Sequence, residues 1–196
     1  MQFQYTTDRL YLKILQADSA QQILDFYIRN KDILEKREPA RSENFYTLAF
    51  QQANLSCEYQ AFLKFTYARF WLFCKSDPQL PIGSVCFSNI LHGAFQNCMV
   101  GYKLDQNYCH RGYMQEALSF LLPIAFDAYS LHRIEAMVQP DNTASIRLLN
   151  RLGFLEEGYM KEYANINGEW KDHLLYSLLH PSKHSPISDD TISISQ

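Results

Sequence analysis

The sequence predicts a single α/β (α+β) domain: a mixed, mostly antiparallel sheet of about seven strands with flanking helices. Three observations carry this. Apolar segments at 69–75, 82–90 and 97–104 follow one another with turn chemistry between them, as in an antiparallel meander. From Tyr113 onward the periodicity alternates between helix and strand. Asn167-Gly168, a hairpin-turn dipeptide, separates two late strand patterns.

In chain order, RLYLKIL (9–15) alternates apolar and polar at Leu10, Leu12 and Ile14, a half-buried strand. Asp18 reads as an N-cap with Gln21 as its capping-box partner, opening a helix whose stripe is Ala20, Ile23, Leu24, Tyr27 and Ile28. Residues 30–54 read as a loop with a short helical turn, and a second helix runs from Cys57 to Tyr67. RFWLFCK (69–75) is a strand, SDPQLP (76–81) a turn, and IGSVCFSNI (82–90) and NCMVGYKL (97–104) are strands. Met114, Ala117, Leu118, Leu121, Leu122, Ala125 and Phe126 share a helical face, and Pro123 is expected to kink or shorten that helix. HRIEAMVQ (132–139) is a strand. Thr143 to Leu152 is a helix closed by Gly153, and strands near 154–163 and 173–179 end the sheet. Residues 1–180 form the domain; the polar tail 181–196 is expected to be disordered.

The 196 residues suit one domain with a full core, 47% being hydrophobic. A net charge of −3 gives no bulk attraction to nucleic acid or to an anionic membrane. The five cysteines are odd in number and lack CxxC spacing, which argues against a disulfide framework or a zinc site. The six histidines show no ligand spacing, so no metal is expected. The N-terminus has no signal-peptide pattern and no apolar run reaches membrane-spanning length, so a cytoplasmic location is expected.

Two stretches carry chemistry. In YCHRGYMQEAL (108–118) a loop with one glycine runs into a helix, whose first amides lack intrahelical partners and form an anion site. Gly112 lets a phosphate oxygen approach the backbone, and His110 and Arg111 add donors. In PDNTASIRLLNRLGF (140–154) Asn142 and Ser145 open a helix after a strand. Each pattern is also compatible with an ordinary loop or N-cap.

Together they resemble the GNAT superfamily of acetyl-CoA-dependent N-acetyltransferases, in particular its ribosomal-protein-alanine (Rim) branch. The superfamily's phosphate loop falls on Cys109, His110, Arg111, Gly112, Tyr113 and Met114, with Cys109 replacing a usual Gln or Arg and Met114 a small residue. FSNILHGAF, VGYKL, HRI, LLNRLGFLEEGYMKEY and NGEWKDH also resemble that branch in order and spacing, over roughly Thr7 to Leu179.

The resemblance implies acetyl-CoA as co-substrate, its pantetheine arm against the backbone of Tyr102 and Leu104 and its pyrophosphate on the 109–114 loop. It implies direct attack of an amine on the thioester through a tetrahedral intermediate, with a backbone N–H near Val100 to Tyr102 for the oxyanion. Ser145 is the expected proton donor to the leaving thiolate, with Tyr163 in reserve. Glu162 is the expected base or relay, with Glu157 and Glu116 behind it. The implied acceptor is a protein N-terminus, of ribosomal-protein alanine type, in a groove between residues 30–54 and the 166–170 hairpin, near Glu35, Glu38 and Trp170. A small-molecule amine acceptor and a silent CoA-binding or ribosome-assembly module remain open. Either a monomer or a homodimer is compatible with the sequence.

Overall fold

The computed structural model describes residues 1–181, so most of the expected tail lies outside the described residues. Eight strands form one sheet in the order β1-β2-β3-β4-β5-β6-β8-β7. The first, β1 (Gln4–Thr6), is the one not foreseen; it pairs antiparallel with β2 (Leu10–Lys13). β3 (Ala68–Cys74), β4 (Asp77–Leu91) and β5 (Asn97–Leu104) form the expected meander. β6 (Arg133–Val138) lies parallel to β5, and the hairpin of β7 (Leu155–Ile166) and β8 (Glu169–Leu179) closes the sheet, β8 pairing with β6. Asn167 and Gly168 both have positive φ, as their turn requires.

Each sheet face is covered, and strand alternation sorts the residues. On one face α4 (Tyr113–Ala128) and α5 (Thr143–Arg151) bury Phe70, Phe87, Ile134, Ala136 and Tyr176. On the other, α1 (Ala20–Arg29), α2 (Lys31–Leu34) and α3 (Leu48–Leu63) cover Trp71 and Phe73, with Ile23, Phe26 and Leu55 in the layer between.

Several local expectations need correction. Asp18 lies in a 3-10 turn (Ala17–Ser19), Ser19 occupies the N-cap position of α1 without a side-chain cap, and the Gln21 amide donates forward to Asp25. The segment 30–54 is largely ordered: it holds α2, a 3-10 turn at Glu43–Tyr46, and the start of α3, which Thr47 caps by accepting from the Phe50 amide. Residues 77–81, expected as turn, belong to β4. Pro78 and Pro81 are tolerated because β5 begins pairing only at Gly83, which leaves that half of β4 with one neighbour. Helix α4 runs through Pro123 to Ala128; Ser119 and Pro123 are both exposed, so the carbonyl that Pro123 cannot serve faces solvent.

Candidate active site

The site follows from one topological fact. β5 and β6 pair only at Asn97↔Arg133, Cys98↔Ile134 and Met99↔Glu135, then diverge. From Val100 to Leu104 the β5 backbone has no partner on its β6 side. The divergence opens a cavity of about 750 Å³ through the sheet. Parallel register and alternation give the cleft two walls. Val100, Tyr102 and Leu104 share the α4/α5 face with Ala136 and Val138. Gly101 and Lys103 share the opposite face with Met137.

The α4/α5 wall ends at the glycine loop. Asp105 is fully buried; its carboxylate accepts from Arg29 Nε (2.7 Å), Asn30 Nδ2 (3.1 Å) and the Asn107 amide (2.9 Å). Burial alone would raise its carboxyl, but these donors together hold it below its ordinary value. Asp105 thus anchors the loop to α1. His110 and Gly112 both have positive φ, 60° and 77°. Gly112 is the N-cap position of α4 and supplies no side-chain cap, so the first-turn amides of α4 face the cavity mouth. Arg9 braces the loop: it donates to Glu116 at 2.6 Å and to the Arg111 carbonyl at 2.9 Å, and lies over the Tyr113 ring. A loop of bare amides, a left-handed glycine and no capping side chain fits a pyrophosphate.

Of the residues expected at the cofactor site, Tyr102, Leu104, Cys109, His110, Gly112, Tyr113, Met114, Asn142 and Ser145 line the cavity. The Arg111 side chain is turned outward, over the Tyr108 ring. Burial, and then Asp105, push the Cys109 thiol up, which keeps it protonated. Asn142 caps α5 by accepting from the Ser145 amide at 3.2 Å. The Ser145 and Tyr102 hydroxyls are 2.6 Å apart. Burial pushes the Tyr102 phenol up to about 12, against the lowering effect of Ser145, so it stays protonated. The sequence reading used only the backbone of Tyr102 and missed this pair, because the contact joins β5 to α5.

The expected carboxylates are elsewhere. Glu162 is exposed on β7 with φ 49°, and its amide donates to Asp172 at 2.7 Å. The register shift between Met160 and Ala164 places it at a bulge outside the cavity wall. Glu116 is tied to Thr7 and Arg9, and Glu157 to Arg133 and Ser177. Tyr163 packs edge-on against His173 without reaching the wall. The opposite wall holds Glu38, paired with Lys103 at 2.7 Å and with Arg41, and also Arg37, which donates to Gln139 at 2.9 Å. Glu35 accepts from the Tyr46 hydroxyl, and its carbonyl accepts from Asn167, joining the 30–54 segment to the late hairpin. Trp170 is exposed beyond the cavity.

The acetyltransferase (GNAT) domain family matches residues 9–155. The chain belongs to the GNAT acetyltransferase family. A relative from Escherichia coli K12, the [ribosomal protein uS5]-alanine N-acetyltransferase, is 35% identical over 176 residues, 90% of each chain. The probable N-acetyltransferase YjcK of Bacillus subtilis is 36% identical over 173 residues, 88% of this chain and 94% of that one. Among solved structures, a ribosomal-protein-S5-alanine acetyltransferase from Vibrio fischeri superposes with a TM-score of 0.88 at 30% identity, covering 94% of this chain and all of that one. RimJ from Mycobacterium smegmatis, in complex with CoA-disulfide, gives 0.82 at 26% identity, covering 90% and 84%. This GNAT acetyltransferase therefore uses acetyl-CoA, and its loop and splayed strands fit that donor. Among the described residues no helix is long and apolar enough to cross a membrane, and no group of side chains could hold a metal ion.

Proposed function

We propose that this acetyltransferase modifies the α-amine of a protein N-terminus, of ribosomal-protein alanine type. The observation that carries the reading is the 35% identity, spread over 90% of both chains, to an enzyme named for that acceptor. The cavity's charge supports it. Among the described residues Glu38 is the one carboxylate on the wall, already paired, against Arg37, Lys103, Arg147 and Arg151. A polyamine would meet net positive charge there, whereas an α-amine brings a single charge that is partly lost at neutral pH.

Bound acetyl-CoA would supply an acetyl group activated as a thioester. The chain's own residues do the rest. The free amides of α4 and the Gly112 loop hold the pyrophosphate. The unpartnered β5 edge from Val100 to Leu104 aligns the pantetheine arm, and an amide of that edge stabilises the developing oxyanion, worth about 2.7–4 kcal/mol for one such donor. Ser145 protonates the departing sulfur. The Tyr102 phenol, held protonated, can donate to Ser145 Oγ, and in that orientation the serine's own proton is free for the task.

The test is acetyl transfer, read by mass, to synthetic peptides beginning Ala, Ser or Met, beside spermine and free amino acids. Turnover of the Ala or Ser peptide is expected. Turnover confined to small amines would overturn the acceptor and keep the family.

A further inference from the structure

An incoming ammonium must lose a proton before it can attack, and neither Glu162, Glu157 nor Glu116 is on the cavity wall. Among the described residues, Glu38, His110 and His173 are the wall side chains with a carboxylate oxygen or imidazole nitrogen that can accept a proton, while the Cys109 thiol is pushed up by burial. Glu38 is occupied by Lys103 and Arg41. Cys109 and His110 belong to the pyrophosphate loop. His173 remains, and no expectation from the sequence singled it out.

We propose that His173 Nε2 takes the proton of the incoming amine. This rests on the acetyltransferase reading above, though not on which amine is the acceptor. The first argument is position. Val138 pairs with Leu174 and Met137 with Leu175, so His173 follows at the end of β6, where the strands have parted. Alternation puts its ring on the same face as Leu175, Met137 and Lys103, opposite Tyr102 and Ser145. Proton donor and proton acceptor thus stand on opposite walls of one cleft, with the reacting carbonyl and sulfur between them.

The second argument is the tautomer. His173 Nδ1 lies 3.0 Å from the Lys171 carbonyl oxygen. A carbonyl only accepts, so the contact is a hydrogen bond when Nδ1 carries the proton. The lone pair is then on Nε2, the nitrogen an amine can use. Among the described residues this is the ring's one hydrogen bond, and Tyr163 holds the ring plane edge-on at 5.2 Å. His173 is 8% exposed and lies on the cavity wall. Asp172, beside it on β8, interacts with it electrostatically, and Lys103 from β5 and Arg37 and Glu38 from the segment after α2 line the same cavity.

The proton balance closes. One N–H bond of the ammonium breaks and its proton goes to Nε2, giving imidazolium. The freed nitrogen lone pair forms the C–N bond as the thioester C–O π pair moves to oxygen. That pair returns as the C–S bond breaks. The second amine proton passes through water to Ser145 Oγ as the Ser145 hydroxyl proton goes to sulfur, so the serine ends neutral. Imidazolium returns its proton to solvent, so one proton is released per acetamide formed.

The test compares wild type with His173→Gln on whichever amine wild type acetylates fastest, so a wrong acceptor class is seen separately. At pH 7 kcat/KM should fall about 100-fold with acetyl-CoA affinity unchanged. The deficit should shrink to a few-fold once the pH exceeds the pKa of that amine, which for an α-amine is so by pH 9.5. A deficit equal at both pH values, or none at pH 7, would overturn the proposal. Nitrogen-15 NMR of the wild-type ring is a second reading that needs no variant. A neutral ring protonated at Nδ1 supports the assignment, and one protonated at Nε2 sinks it.

Discussion

The two walls of the cleft are built by different means. The α4/α5 wall is mostly local: Gly112, Asn142 and Ser145 act within a few residues of a helix start, and one long-range polar contact, the hydroxyl pair Tyr102–Ser145, ties α5 to β5. The opposite wall is assembled from distant segments through charges: Glu38 with Lys103, Arg37 with Gln139 and Asp141, and Asn167 on the Glu35 carbonyl. In the proposed assignment the α4/α5 wall takes acetyl-CoA and rests on backbone and caps. The proposed acceptor wall rests on side-chain pairs, which sequence change can alter one at a time without refolding the sheet.

If the walls are separable, Ser145→Ala should damage chemistry and spare donor binding. We expect kcat to fall about 100-fold, the lower range of a positioned proton donor. The dissociation constant of acetyl-CoA should hold, because Asn142 accepts from the Ser145 backbone amide, which alanine keeps. Steady-state kinetics with a CoA-binding titration checks both. Equal loss of affinity would mean that the serine is part of the donor's seat.

Lys103→Met probes the other wall. Lys103 and Glu38 are 14% and 25% exposed, so the pair is worth about 1 kcal/mol, the upper end for such contacts. Glu38 keeps Arg41 and the cleft keeps its shape. The acceptor's KM should rise about 5-fold, with kcat and acetyl-CoA affinity near wild type. A change confined to acetyl-CoA binding would erase the distinction between the walls.

The same contrast explains what the sequence disclosed. Gly112, Asn142 and Asn167-Gly168 act on their own neighbours, so a short window reveals them. Thr47 was missed because α3 lacks a clear apolar stripe: it buries the polar Gln51, whose amide donates to the Phe45 carbonyl, beside Leu55 and Phe62. Glu162 lies at a bulge in β7, which has two register shifts, so its position along the strand does not reveal that it stands outside the cavity wall. His173 sits on the unshifted neighbour β8, yet its value depends on where β5 and β6 part, which no local pattern encodes. Long-range pairs such as Lys103–Glu38 leave no periodic trace at all.

The smallest effect expected is on stability, at the end of the acceptor-side face where β5 and β6 are still paired. There Arg133 bridges Glu135 and Glu157, and Ser177 donates to Glu157. Arg133, and then Ser177, hold the Glu157 carboxyl at about 2, well below its ordinary value of 4.5. A lowered folded-state value means the folded form favours the ionised group. Its contribution is present above about pH 4.5, where the unfolded carboxyl is also ionised, and is lost as pH falls toward 2. Glu157→Gln removes that titration and leaves Arg133 with Glu135. The variant should therefore unfold at lower denaturant than wild type at pH 6, by a modest margin because Glu157 is 38% exposed. The two curves should converge between pH 4.5 and 2. Denaturant midpoints at pH 6, 4 and 2.5 measure this directly. A gap that persists unchanged at pH 2.5 would mean that the glutamate stabilises the strand end by packing, and that charge is not what holds this part of the face together.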